Sequence, residues 1–205
     1  MFRGGDALEV RGLEDMLRQD AGAAMRDALD KQVLAGSGTA PEVTGFLADP
    51  SAGGLPASDP VAADTPEDWP AIIGRVLAGI DGRYASVEGD IGLALSVGGY
   101  KYLGKIFAAN TYMSLSRYLR DTLGAVSSSP HVIGAGDGVA TGILALRRGG
   151  GMNSVAPLWQ GVSVIRDVYT HAPSDHVRLT FKSYWNFAIL RASGFRRIEF
   201  RTDPK

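Results

Sequence analysis

From Asp6 to Leu34 the chain runs without a proline, then stops at Ala35-Gly36-Ser37-Gly38. Val10, Leu13, Leu17, Ala21, Ala24 and Ala28 recur at three- and four-residue steps, which predicts a helix with an apolar stripe. Met25, Leu29 and Val33 widen the stripe, and Asp6 stands at the N-cap position. The opposite face carries Glu14 with Arg18 and Asp27 with Lys31, at the spacing that favours ion pairs. Such a rod is roughly 40 Å long at the usual rise per residue. That exceeds what a small compact domain needs and suits a strut laid across something flat. The expectation is that Leu17 and Ala24 are buried beneath it. The smooth middle, Ala21 to Ala24, admits a close neighbour. Gly36 or Gly38 is expected to take the left-handed conformation that ends the helix. Thr44-Gly45-Phe46-Leu47 reads as an extended exit.

Asp49 to Pro70 is rich in proline and reads as a linker or long surface loop. Thr65-Pro66-Glu67-Asp68 reads as a helix start, with Thr65 as cap and acids in the first turn. The apolar face of that helix is Trp69, Ile72, Ile73, Val76, Leu77 and Ile80. Ile91 to Val97 is a buried strand, and 99–110 and 114–124 are two further helices. From Val126 onward the period changes to two. Strands are expected over 126–133, 139–147, 155–159, 162–168, 177–190 and 195–201. One long helix, a mixed segment and then mostly strands make an α+β fold rather than a regular strand–helix alternation.

The 205 residues suffice for one large domain or two small ones. A net charge of −1 with no basic block offers no footprint for nucleic-acid binding through phosphate neutralisation. The absence of cysteine excludes disulfides, thiolate zinc sites and cysteine nucleophiles, and fits a reducing compartment. The stretch MFRGGDALEV does not have the pattern of a signal peptide, and no apolar run is long enough to span a bilayer.

Several stretches invite a catalytic interpretation and are better explained without one. Gly134 to Gly142 follows a strand, but a dinucleotide fingerprint needs a third glycine where Val139 stands, and a helix after it. A glycine-rich turn between two strands is expected instead. Ser127, Ser128 and Ser129 lie close to His131, yet no nucleophile elbow surrounds them. His171 and His176 flank Asp175 without a third histidine or helical spacing to complete a metal site. Leu146 to Gly151, LRRGGG, is a basic loop whose default is exposure. No catalytic residue, cofactor-binding residue or metal ligand is assigned, and the chain does not read as an enzyme.

The stretch GLEDMLRQDAGAAMRDALDKQVLAGSGTAPEVTGFL resembles the spine-helix segment of tailed-bacteriophage (Caudovirales) major capsid proteins. Leu13, Glu14, Leu17, Asp27, Ala28, Leu29, Asp30, Gln32, Leu34, Gly36, Gly38, Thr39, Thr44, Gly45 and Leu47 carry the match. DGRYASVEGDIGLALSVGGYKYL, APLWQGVSVIRDVYT and VRLTFKSYWNFAILRASGF resemble later segments of that family, in order.

The resemblance implies a Hong Kong 97-like fold. A peripheral domain with the spine helix would take residues 1–65 and 155–205, and an axial domain 66–154. It implies a structural shell subunit assembling into pentamers and hexamers of an icosahedral head. An encapsulin-like cellular shell is the near alternative, and a small hydrolase or nucleotide binder the distant one. Implied partners are further copies of the chain, a scaffold or prohead protease, a portal and packaged DNA contacted non-specifically, with no membrane and no cofactor. The implied location is the virion, after synthesis in the bacterial host cytoplasm. The family's N-terminal arm and extended loop are expected to be absent, as in a fragment or a decayed prophage copy. No lysine–asparagine cross-link is expected, since Arg178 to Thr180 holds no asparagine.

Overall fold

The computed structural model describes residues 6–56, 67–78, 91–108, 112–146, 153–167 and 178–203, without the side chains of 6–11, 13, 14 and 166. Four α-helices are present among them: α1 (Asp6–Ala35), α2 (Trp69–Ala78), α3 (Val97–Lys105) and α4 (Leu115–Leu123). The strands are β1 (Ile91–Ser96), β2 (Gly124–Ser129), β3 (Val139–Leu146), β4 (Ser154–Val155), β5 (Leu158–Asp167), β6 (Arg178–Trp185), β7 (Ala188–Ile189) and β8 (Phe195–Arg201). The class is α+β. The chain forms two compact units, one of residues 1–31 and 156–186, the other of 32–155 and 187–205. These bounds differ from the axial and peripheral division expected from the sequence. β3 and β8, expected in different domains, are neighbours in one sheet.

The larger unit is built on a four-stranded sheet of order β2-β1-β3-β8. β1 and β2 are parallel, as they can be because α3 and α4 fill the crossover between them. β3 is antiparallel to β1 and β8. The register places Leu93 opposite Leu144, and Gly142 opposite both Leu95 and Ile198. Side chains on this face therefore converge on α2, α3 and α4. Leu115, Leu119 and Leu123 recur every fourth residue on α4 and are all fully buried. Ile72 and Val76 of α2 and Leu103 of α3 join them in one core with Leu93, Leu95, Ile198 and Phe200. Burying each such side chain contributes about 1.5–3 kcal/mol. Gly99 lets α3 approach this sheet: a Cβ there would lie 2.8 Å from the Ala140 Cβ.

Several short devices finish the elements. Ser96 caps α3, its hydroxyl accepting from the Gly99 N–H at 3.3 Å. Asp68 caps α2, which begins at Trp69, its carboxylate accepting from the Ala71 N–H at 3.1 Å. Thr65 lies outside the described residues. The outer edge of β8 is covered on alternate residues. The Glu199 carbonyl accepts from the Arg75 guanidinium at 3.3 Å, and the Arg201 carbonyl from the Glu67 N–H at 3.3 Å.

The end of α1 shows why its stop has to be so abrupt. The last carbonyls of a helix have no intrahelical donor. Here the chain turns back and supplies them. Gly36 donates to the Gln32 carbonyl at 2.9 Å, Phe46 to Val33 at 2.9 Å and Leu47 to Leu34 at 2.8 Å. Gly45 donates to the Gly36 carbonyl at 2.9 Å, and Ser37 bridges Thr44. Gly38, at φ 77°, is the residue in the left-handed region. Gly36 serves by lacking a Cβ, which would sit 2.2 Å from the Val43 carbonyl oxygen. The returning chain delivers Phe46 to Phe195 and Phe187, with ring centroids 4.6 Å and 5.1 Å apart.

The smaller unit holds α1 as far as Lys31 and the antiparallel pair β5–β6. The break expected between two strands near residue 160 falls earlier, between β4 and β5. Gly161 lies inside β5, where two register shifts absorb the irregularity. The strand expected over 177–190 divides into β6 and β7 at Asn186, whose N–H turns to the Pro157 carbonyl at 3.1 Å.

Of the stripe on α1, Ala21, Met25, Leu29 and Val33 are half-buried and the side chains of Val10 and Leu13 lie outside those described, but the expectation that Leu17 and Ala24 are buried fails. Leu17 is 44% exposed and Met16 62%, and Ala23, Ala24 and Ala28 are exposed. Alanines have little surface to bury, so periodicity at Ala21, Ala24 and Ala28 marks a face without supplying the drive to cover it.

Candidate assembly surface

The largest group of exposed apolar side chains lies on the β5–β6 ribbon. Leu158, Trp159, Val162, Ile165 and Tyr184 are all between 48% and 68% exposed. The register pairs Leu158 with Trp185, Val164 with Phe181 and Ile165 with Thr180. No ribbon residue whose burial is described is buried. The two strands are tied mainly by their ladder, with the Ser183 hydroxyl donating to the Gln160 carbonyl at 3.0 Å and that of Ser163 to Lys182 at 3.3 Å. A two-stranded ribbon is marginal in water unless something packs on it. Large aromatic and β-branched side chains on both strands are what a covered ribbon carries, and what a solvated one avoids. Charged residues sit among them: Asp167 lies opposite Arg178 in the register, and Lys182 is exposed.

The larger unit adds two smaller patches. Phe107 is 60% exposed and Tyr112 fully so, on the segments that follow α3 and precede α4. These segments are tied together by the Ala108 N–H on the Met113 carbonyl and the Leu115 N–H on the Ile106 carbonyl, at 2.9 Å and 2.7 Å. Ile133 is 66% exposed beyond the end of β2.

The stretches that suggested chemistry are placed as follows. Gly134 to Gly138 forms a turn from β2 into β3, and no helix follows it. It borders a cleft of about 530 Å³ beside the start of α3, lined by Ser96, Gly98, Pro130, Gly136, Asp137 and Asp203 among others. Among the described residues the lining has two carboxylates and no cationic side chain, so a nucleotide's phosphates would meet like charge there. Ser127 and Ser128 are exposed on edge strand β2, and the Ser129 hydroxyl accepts from the main-chain N–H of His131 at 3.2 Å. The three serines thus share a strand end with the backbone of His131. His171, Asp175 and His176 lie outside the described residues, as do 147–151 of the basic loop. Among the described residues no group of three or more His, Asp or Glu is placed to hold a metal ion. No helix among them is long and apolar enough to cross a membrane.

Sequence reasoning missed one residue of note. By sequence Glu67 is only an acid near a helix start; in the fold it is 7% exposed and ion-paired to Arg75. The signal is faint: a glutamate eight residues before an arginine on the same side of a short apolar helix.

No family model matches the chain, and no curated protein matches it. Among solved structures it is similar to a virus-like particle from Pyrococcus furiosus, with a TM-score of 0.48 and 10% identity. The match covers 70% of this chain and 57% of that one. Likeness at this level fixes neither a fold family nor a function.

Proposed function

We propose that the chain is a subunit of a self-assembled protein shell, of the kind built by tailed-phage major capsid proteins. The observation that carries the proposal is the β5–β6 ribbon, which displays Trp159, Val162, Ile165 and Tyr184 to solvent in the single chain. Further copies of the chain are the partner that makes such a surface sensible, because a repeated tile buries the same ribbon at every position. Scaffold or prohead protease, portal and non-specifically held DNA are its other partners, and the virion is its location. An encapsulin-like cellular shell uses the ribbon in the same way. Loaded protein cargo, rather than DNA, in purified particles distinguishes it.

The test is the solution mass of the chain across concentration, by light scattering on a sizing column. Species of five or six times 21.6 kDa, or larger particles, support a shell. A monomer at every concentration, persisting after any upstream sequence is restored, refutes it and favours a monomeric binding module. The enzymatic alternative is tested by melting with ATP or NAD, since a ligand held only by the folded state raises the melting temperature. A clear rise would count against the shell.

A further inference from the structure

Glu67 precedes α2 and packs against the outer edge of β8. Its main chain is anchored twice: the N–H donates to the Arg201 carbonyl at 3.3 Å, and the carbonyl accepts from the Tyr102 hydroxyl at 2.9 Å. One carboxylate oxygen, Oε1, pairs with the Arg75 guanidinium at 2.5 Å. The other, Oε2, is buried with no hydrogen-bond partner. Arg75 also donates to the Glu199 carbonyl, so one side chain holds both the acid and the strand edge. The carboxylate is therefore half satisfied in a site built for it by three elements. A buried charge with an unmet oxygen is a liability that a neutral carboxyl largely avoids.

We propose that Glu67 is a proton-stabilised latch, holding the start of α2 against the outer edge of β8 more firmly when its carboxyl is neutral than when it is charged. The competing groups come from every element packed around it. Arg75 on α2 favours the charged form. Asp68 at the start of α2 opposes it. Tyr102 on α3 reaches the main chain of Glu67. On β8, Glu199 is occupied by Arg197 at 2.7 Å, and Arg201 approaches through its carbonyl. Asp203 acts on Tyr102. Burial outweighs Arg75, and the pKa of the Glu67 carboxyl is raised above the ordinary glutamate value of 4.5. A raised folded value means that the closed seat binds the proton more tightly than an open one. The cost of the charge is then fully present above the folded value, and is relieved as pH falls through it toward 4.5.

The experiment uses the full chain, with carbon-detected NMR of glutamate carboxyls and amide hydrogen exchange followed from about pH 7.5 down to the ordinary glutamate range. The Glu67 carboxyl is expected to titrate above the other glutamates. Exchange protection of the α2 amides, corrected for intrinsic rate, should rise severalfold on acidification. The ceiling is about tenfold for each pH unit that separates the Glu67 midpoint from that of an ordinary glutamate. Glu67→Gln should hold that protection high at both ends of the range. Arg75→Gln, which removes the group that favours the charge, should move the Glu67 midpoint higher still and steepen the pH response. If Glu67 titrates at or below an ordinary glutamate, or α2 protection falls on acidification, the ion pair dominates and the latch is refuted. An unchanged Glu67 midpoint in Arg75→Gln would equally overturn it. The contacts of Glu67 lie within one chain and are read on the unassembled subunit, so failure here is distinct from failure of the shell proposal.

Discussion

Replacing Gly45 by alanine should damage the chain far more than one methyl group suggests. An added Cβ at that position lies 2.5 Å from the Gly36 nitrogen, 2.7 Å from the Gln32 carbonyl oxygen and 3.0 Å from the Ala35 nitrogen. All three are main-chain atoms of the closed helix end, and none can swing aside as a side-chain tip would. Relief requires residues 45–47 to lift off. That breaks the bonds from Gly45 to Gly36, Phe46 to Val33 and Leu47 to Leu34. At about 0.5–1.5 kcal/mol net for each hydrogen bond, the loss is about 2–4 kcal/mol. Phe46 is then also drawn away from Phe187 and Phe195, so this figure is a lower bound. For a chain of this length it corresponds to a fall in melting temperature of roughly 4–16 °C. Scanning calorimetry at matched protein concentration reads the effect, because assembly would make melting concentration-dependent. Gly22→Ala is the control: its Cβ meets nothing within 4 Å, and the change should stabilise α1 by about 0.5–1 kcal/mol. If Gly45→Ala melts with the wild type, the helix end is not closed by the returning chain, and the account of the stop is wrong.

Leu17→Asp should shift stability by less than about 1 kcal/mol, because the side chain is 44% exposed; a large loss of stability in the variant would show that the stripe is buried after all. The double change of Trp159→Ser and Val162→Ser should abolish any assembled species on the sizing column while leaving the monomer's melting intact. Assembly unaffected by that pair would remove the ribbon from the interface. Leu119→Ala, in the centre of the α4 face, should cost about 2–5 kcal/mol, read as a lower urea midpoint with an unchanged slope.

Much of the larger unit was legible because its signals are local. The Leu115, Leu119 and Leu123 spacing fixes which face of α4 is buried, and Ile91 to Val97 has the length and apolar content of a covered strand. Gly36, Gly38 and Gly45 announced a corner at the end of α1, although only the structure separates the glycine chosen for its φ from those chosen for lacking a Cβ. What escaped depends on neighbours distant in sequence. The pairing of β3 with β8 joins residues fifty or more positions apart, and no periodicity within either strand reveals it. The stripe on α1 misled because regular spacing reports a face, not what covers it. The candidate surface was half visible. Its strands were expected, but that Trp159 and Tyr184 face solvent together follows from a register with two shifts. Glu67 was hidden because burial of a carboxylate is a property of the seat, not of the residue.

The covered edge of β8 sets a limit on what the four-stranded sheet can do with another copy of itself. With Arg75 and Glu67 occupying the carbonyls of Glu199 and Arg201, strand addition is blocked on that side. Within this sheet, among the described residues, β2 is the other edge strand and the one left with an open flank. A sheet with one available flank can form a pair and then has nowhere to continue. Open-ended growth into a fibre needs two. At this sheet, extended polymerisation by strand stacking is terminated by construction, and repeated association is left to surfaces whose geometry can close.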